Sequence, residues 1–127
     1  MVTKLAGLAV ALALAAVDAS AQPAPDPGAA FLHAADANDY AAMQAVMDPG
    51  SAGFLKKVSN CYLRRVYSDA QTHQLLAVWM CAEGPNRSRV VVANIALTPA
   101  NKVSVSVQLE TTNARPAPER AGSAFTP

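Results

Sequence analysis

The side chains whose types and spacing are best suited to chemistry are two cysteines, Cys61 and Cys81, and a set between them, Tyr62, Arg64, Arg65, Tyr67 and Trp79. They occupy two segments, 58–67 and 73–81, rich in aromatic and β-branched residues and joined by the polar turn Ser68-Asp69-Ala70-Gln71-Thr72. That pattern is a β-hairpin signal. A hairpin symmetric about Gln71 sets Cys61 opposite Cys81, Leu63 opposite Trp79, Arg65 opposite Ala77 and Tyr67 opposite Leu75. Cysteines facing each other across an antiparallel pair approach the Cα separation of roughly 5.5 Å that a disulfide prefers. A disulfide between Cys61 and Cys81 is therefore expected. On the same face, Arg65 beside Trp79 offers charge and a stacking surface to an anionic or aromatic group. Tyr62, Arg65, Tyr67 and Trp79 are the candidate ligand-binding residues, against the reading that Trp79 is core and the arginines reach water over it.

Little else in the chain has the spacing of a reactive site. His33 and His73 lack Asp or Glu at ligand spacing, so both are read as solvated and no metal is expected. Asp36 and Asp39 stand three apart on a helical stretch, yet Asp39 is better explained as a helix N-cap than as half of a carboxylate pair. No catalytic residue and no cofactor is assigned.

The elements that position these residues follow from periodicity. A third strand over 89–97 comes after the turn Glu83-Gly84-Pro85-Asn86-Arg87-Ser88, and a fourth, 103–109, alternates strictly. Alternation puts Val103, Val105, Val107 and Leu109 on a buried face, aligned with Val91, Ala93, Ile95 and Leu97 if the turn centres on Ala100. Val90, Val92 and Ala96 are left on the second face, too apolar for plain solvent, which calls for a partner or a pocket there. Upstream, Asp26-Pro27 is N-cap chemistry followed by proline at the first helical position, opening a helix to Ala37. Asn38 tolerates the left-handed conformation that ends helices, and Asp39 caps a second helix from Tyr40 to Met47. A short helical turn is expected within 51–57. The fold class is α+β: N-terminal helices packed on a curved four-stranded antiparallel β-meander.

Residues 1–21 read as a signal peptide, with Lys4, an apolar run from Leu5 to Val17 and the cleavage site Ala19-Ser20-Ala21. The run is too short for a membrane span and no cysteine follows the site, so export to the periplasm or medium without a stable membrane anchor is expected. Removing 21 of 127 residues leaves 106, room for one domain, with 9 basic and 8 acidic side chains. Such a balance, with Arg64 and Arg65 on opposite faces of one strand, excludes a nucleic-acid surface. The resulting division is a signal (1–21), a flexible proline-rich leader (22–28), a single α+β domain (29–110) and a disordered tail (111–127), removable without loss of fold.

The segment from Phe31 to Pro49, FLHAADANDYAAMQAVMDP, resembles the opening of nuclear-transport-factor-like domains, the SnoaL-like or ketosteroid-isomerase-like superfamily. Asn38-Asp39 stands where many members have Gly-Asp between the first two helices. The resemblance covers about twenty residues and implies a curved sheet wrapped around helices; with four strands, a cystatin-like arrangement fits equally. Members that are enzymes place Asp, Tyr or His inside the cone, and no residue here matches those positions. The expected function is a small exported, non-enzymatic binding domain whose sheet takes a partner protein or small ligand, with a homodimer through the sheet as one such pairing. A proton-transfer enzyme or isomerase of the SnoaL-like type is the alternative.

Overall fold

The computed structural model describes residues 26–120 and 122–125; the signal-peptide and cleavage-site reading, at 1–21, lies outside the described residues. Helix α1 spans Pro27–Asp36, α2 Tyr40–Val46 and α3 Phe54–Lys57, with a 3₁₀ turn at Pro49–Ser51 between the last two. Four strands follow, β1 (Cys61–Asp69), β2 (Gln74–Gly84), β3 (Arg87–Leu97) and β4 (Val103–Asn113), in an antiparallel sheet of order β1-β2-β3-β4. The expected α+β architecture is the one observed.

Local chemistry explains the helix ends. Asp26 accepts from the Gly28 N–H at 3.0 Å with Pro27 opening α1, Asn38 takes φ 55° just beyond its end, and Asp39 accepts from the Ala42 N–H at 3.1 Å. Each is a backbone group that the helix itself leaves unpaired. The segment after α2 is stitched to the sheet: the Asp48 N–H donates to the Val103 carbonyl at 2.7 Å, and the Val105 N–H donates to Ser51 Oγ at 3.0 Å. These bonds occupy the start of the β4 edge, so β4 cannot extend the sheet there.

All helices pack on one face of the sheet. Phe31, Met43, Val58, Leu63, Trp79, Val91 and Val103 are essentially inaccessible, and Phe54 meets Trp79 edge-on with ring centroids 5.0 Å apart. Tyr40 closes the rim, its hydroxyl donating to the Val58 and Ser59 carbonyls at 3.0 and 3.2 Å. Burial raises the Tyr40 pKa, which keeps it a donor.

Two β-bulges change the expected register. Cys61 pairs with Cys81 and Leu63 with Trp79 as anticipated, but Arg64 is an extra residue, so Arg65 pairs with Val78, Val66 with Ala77 and Tyr67 with Leu76. Arg65 thereby leaves the Cys61 face, and Val66 turns toward the core in its place. Arg64 and Arg65, expected on opposite faces, are both exposed. In β4 the shift at Gln108 pairs Val107 with Ala93 but Leu109 with Val92, which carries Leu109 to the outer face. The row read as uniformly buried thus fades along the inner face, from Val103 at 0% to Val107 at 39% exposed, because β4 is an edge strand that the helices only partly cover, and Leu109, turned outward by the bulge, is 55% exposed.

The tail is ordered where the sequence reading had it disordered. β4 runs to Asn113, and residues 118–120 and 122–125 lie against β1 and α1. Asn113 pairs with Ser88 on β3, while the Pro118 carbonyl accepts from Tyr62 Oη at 2.7 Å on the opposite edge strand. Residues 114–117 therefore cross the sheet, a distance of about three strand spacings that four or five extended residues can span. Met80, paired with Tyr62 on β1, is only 7% exposed although it points away from the helices.

Candidate functional site

β1 is the sheet edge that carries most of the candidate residues, and the tail passes beside it as a strap. Between them is a groove of about 650 Å³ lined by Tyr62, Arg64, Arg65 and Tyr67 on one side and by Glu119 and Arg120 on the other. Tyr62, Arg65 and Tyr67 are thus brought together. Trp79 is not: it is 1% exposed, points to the helices and packs on Phe54. The Arg65–Trp79 pair is ruled out by the bulge at Arg64, and Trp79 is core.

The strap is held by one carboxylate. Asp36, the last residue of α1, accepts from Arg120 Nη2 at 2.7 Å, from Ser123 Oγ at 2.6 Å and from the Ala124 N–H at 2.8 Å. Arg120 Nη2 also donates to the Asp36 carbonyl, and Phe125 stacks on His33 with centroids 4.6 Å apart. Partial burial pushes the Asp36 carboxyl up, but the Ala124 and Ser123 hydrogen bonds and the Arg120 charge together outweigh it and hold the pKa below the usual carboxylate value. Sequence reasoning missed this cluster. Its signal is weak, since Asp36 and Arg120 are 84 residues apart and neither sits in a motif.

The backbone of β1 contributes as much as its side chains. Cys61 and Cys81 are disulfide-bonded with Cα atoms 4.0 Å apart, the closely spaced kind of antiparallel pair, and the flanking Ala82 N–H donates to the Asn60 carbonyl at 3.3 Å. Cys61 is therefore at a position whose own N–H and C=O point away from β2. Period two, advanced by one at the bulge, gives the same outward direction to Leu63, Val66 and Ser68. Among the described residues, the hydrogen bond between the strap and β1 is that of Tyr62 to Pro118, and none is made to these outward groups.

Elsewhere there is less to work with. His73 sits in the β1–β2 turn at φ 57°, where Asp69 accepts from the Gln71 N–H at 2.9 Å. The Gln71 and Thr72 hydrogen bonds lower the Asp69 pKa. A second cavity of about 450 Å³ lies between His73, Asp26 and Asn94, whose Oδ1 is buried without a hydrogen-bond partner. Asp26 is already committed to capping α1. Among the described residues no group of His, Cys, Asp and Glu is arranged to hold a metal ion, and no helix is long and apolar enough to cross a membrane.

Comparison of the chain with protein-family models, curated proteins and solved structures gives no match.

Proposed function

We propose that the domain is an exported, non-enzymatic binding module that engages a partner protein with the outer side of its sheet. The observation that carries the reading is the asymmetry of the two faces. The inner face is filled by Phe31, Met43, Phe54 and Trp79, which occupy the space where an isomerase of the SnoaL-like type would need an open cone. On the outer face, Leu76, Val78, Val90 and Val92 remain half-buried, and Tyr67 and Leu109 are 53% and 55% exposed. A continuous apolar surface spanning four strands is unusual for an isolated small domain and marks an interaction site.

The experiment places a photoreactive residue at Leu109, captures a partner in the exported fraction of the native host, and repeats the binding with that partner purified. A Val92→Glu change, central on this face, is expected to weaken the purified complex by about tenfold or more, because it buries a charge against apolar contact. Absence of any crosslink at Leu109, or undiminished binding by the Val92→Glu variant, refutes the outer face as the site.

Export is the second part of the proposal, supported by the n-region, apolar run and Ala19-Ser20-Ala21 site, and by a disulfide of the kind that persists in oxidising compartments. Intact-mass measurement of the protein from periplasm or medium should show a chain that begins at Gln22. A mass that still includes Met1 contradicts it.

A further inference from the structure

We propose that the outer edge of β1 is a strand-addition site that takes an extended acidic segment of the partner protein into the groove between β1 and the C-terminal strap. This deepens the binding reading above and rests on it. Three observations converge on the occupant. The N–H and C=O groups of Leu63 and Val66 point into the groove and those of Ser68 extend the same edge just beyond it; among the described residues none receives a hydrogen bond from the strap, so the edge presents unmet backbone pairing along its length. An added strand satisfies those groups directly.

The second observation is shape. The strap touches β1 through Tyr62 at one end and then runs to α1, where Asp36 and His33 hold Arg120, Ser123 and Phe125. It therefore stands off from the strand edge as a wall, leaving about 650 Å³ between the two. A strand edge from Leu63 to Ser68 is long enough for about six extended residues. If the strap were simply an edge cover, it would fill this space.

Charge gives the third. Arg64 and Arg65 both line the groove and are exposed, and among the described residues neither has a carboxylate within ion-pair distance. Arg120, the other cation on the groove, is already bound to Asp36. Among the described residues Glu119 is the one acidic side chain lining the site, so the groove has an excess of positive charge. The bulge produces this excess, because it brings two successive arginines out of the core where an unbroken strand would have turned one of them inward. A strand with Asp or Glu at alternate positions sets its carboxylates beside both guanidinium groups while its backbone pairs with β1.

The test is an amide-resolved NMR titration of the mature disulfide-bonded chain with three synthetic octapeptides: alternating Val and Glu, alternating Val and Lys, and the Val–Glu peptide N-methylated at every backbone amide. The Val–Glu peptide is expected to shift the amides of Leu63, Val66 and Ser68, and an Arg64→Ser, Arg65→Ser double variant is expected to bind it about tenfold more weakly. The Val–Lys and N-methylated peptides should leave those amides unmoved. No shift with the Val–Glu peptide at millimolar concentration overturns the proposal, and so does equal binding of the N-methylated peptide, which would leave charge attraction without strand pairing. The broader binding reading is judged separately, by the Leu109 crosslink and the Val92→Glu variant, so a partner that depends on Val92 but not on the β1 edge sinks this proposal alone.

Discussion

A chain carrying Cys61→Ala and Cys81→Ala is expected to melt about 12–24 °C below the parent, a loss of about 3 kcal/mol for a domain of this size. The bridge closes a loop of 20 residues, and by the chain-entropy model that loop length alone gives the figure. Alanine is the informative replacement because both sulfurs are buried, Cys61 at 6% and Cys81 at 0% exposure, and serine would add the separate cost of a hidden hydroxyl. The consequence for the site is local. Among the described residues β1 is an edge strand paired with β2 alone, and beyond Leu63 its register already slips by one residue. The bridge pins β1 just before that slip. Without it, a competing unbulged pairing would return Arg65 to the inner face and disorganise the groove. Thiol labelling of the denatured mature protein should find no free sulfhydryl before reduction and two after it. Two labelled thiols without reductant, or a double variant of unchanged melting temperature, would remove the bridge from this account.

The disulfide was legible in the sequence because it depends on the one part of the hairpin where simple symmetry holds. Counting outward from Gln71 reaches Cys61 opposite Cys81 even though the inner part of the pairing is displaced. The displacements compensate: the turn begins the ladder at Asp69 with Gln74, one residue off the symmetric register, and the extra residue at Arg64 restores it. Nothing in the residue types around Arg64 marks a bulge, since two adjacent arginines read as one inward and one outward in any unbroken strand. The same holds at Gln108, where strict Val–Ser alternation has just ended. Alternation reports faces only while the count of residues on both strands stays equal.

The helices were legible for a different reason: their ends are written in local chemistry. Asp26-Pro27, Asn38 and Asp39 each act on backbone within a few residues, so no tertiary knowledge is needed to place them. The tail is the opposite case. Its docking depends on a proline-bounded segment with no apolar period meeting a single carboxylate at the end of α1, and composition alone makes such a segment look free. Ala124 and Phe125 are too few to register as a hydrophobic pattern, yet Ala124 packs on the core and Phe125 finds the His33 ring.

Ending the chain after Ala114 should therefore destabilise the domain by about 2 kcal/mol, a fall of about 8–16 °C in melting temperature, since it removes the charge-assisted bonds to Asp36 and the Tyr62–Pro118 hydrogen bond. That estimate already allows for the entropy of ordering the strap, which offsets much of the gross interaction. Asp36→Ala separates docking from any effect on α1. In the full chain the substitution strips the carboxylate from Arg120, Ser123 and the Ala124 N–H together, and most of the truncation cost should appear. In the truncated chain it should be nearly neutral, because residues that act through one shared partner are not additive. Acid gives an independent readout. The folded Asp36 pKa lies below its ordinary value of 3.8, so its contribution is fully present above that value and is lost as pH falls through the lower folded one. The full chain should accordingly lose stability below about pH 4 more steeply than the truncated chain, and Asp36→Ala should erase the difference. Equal acid profiles for the full and truncated chains, or an Asp36→Ala cost that persists after truncation, would show that Asp36 supports the helix and not the strap.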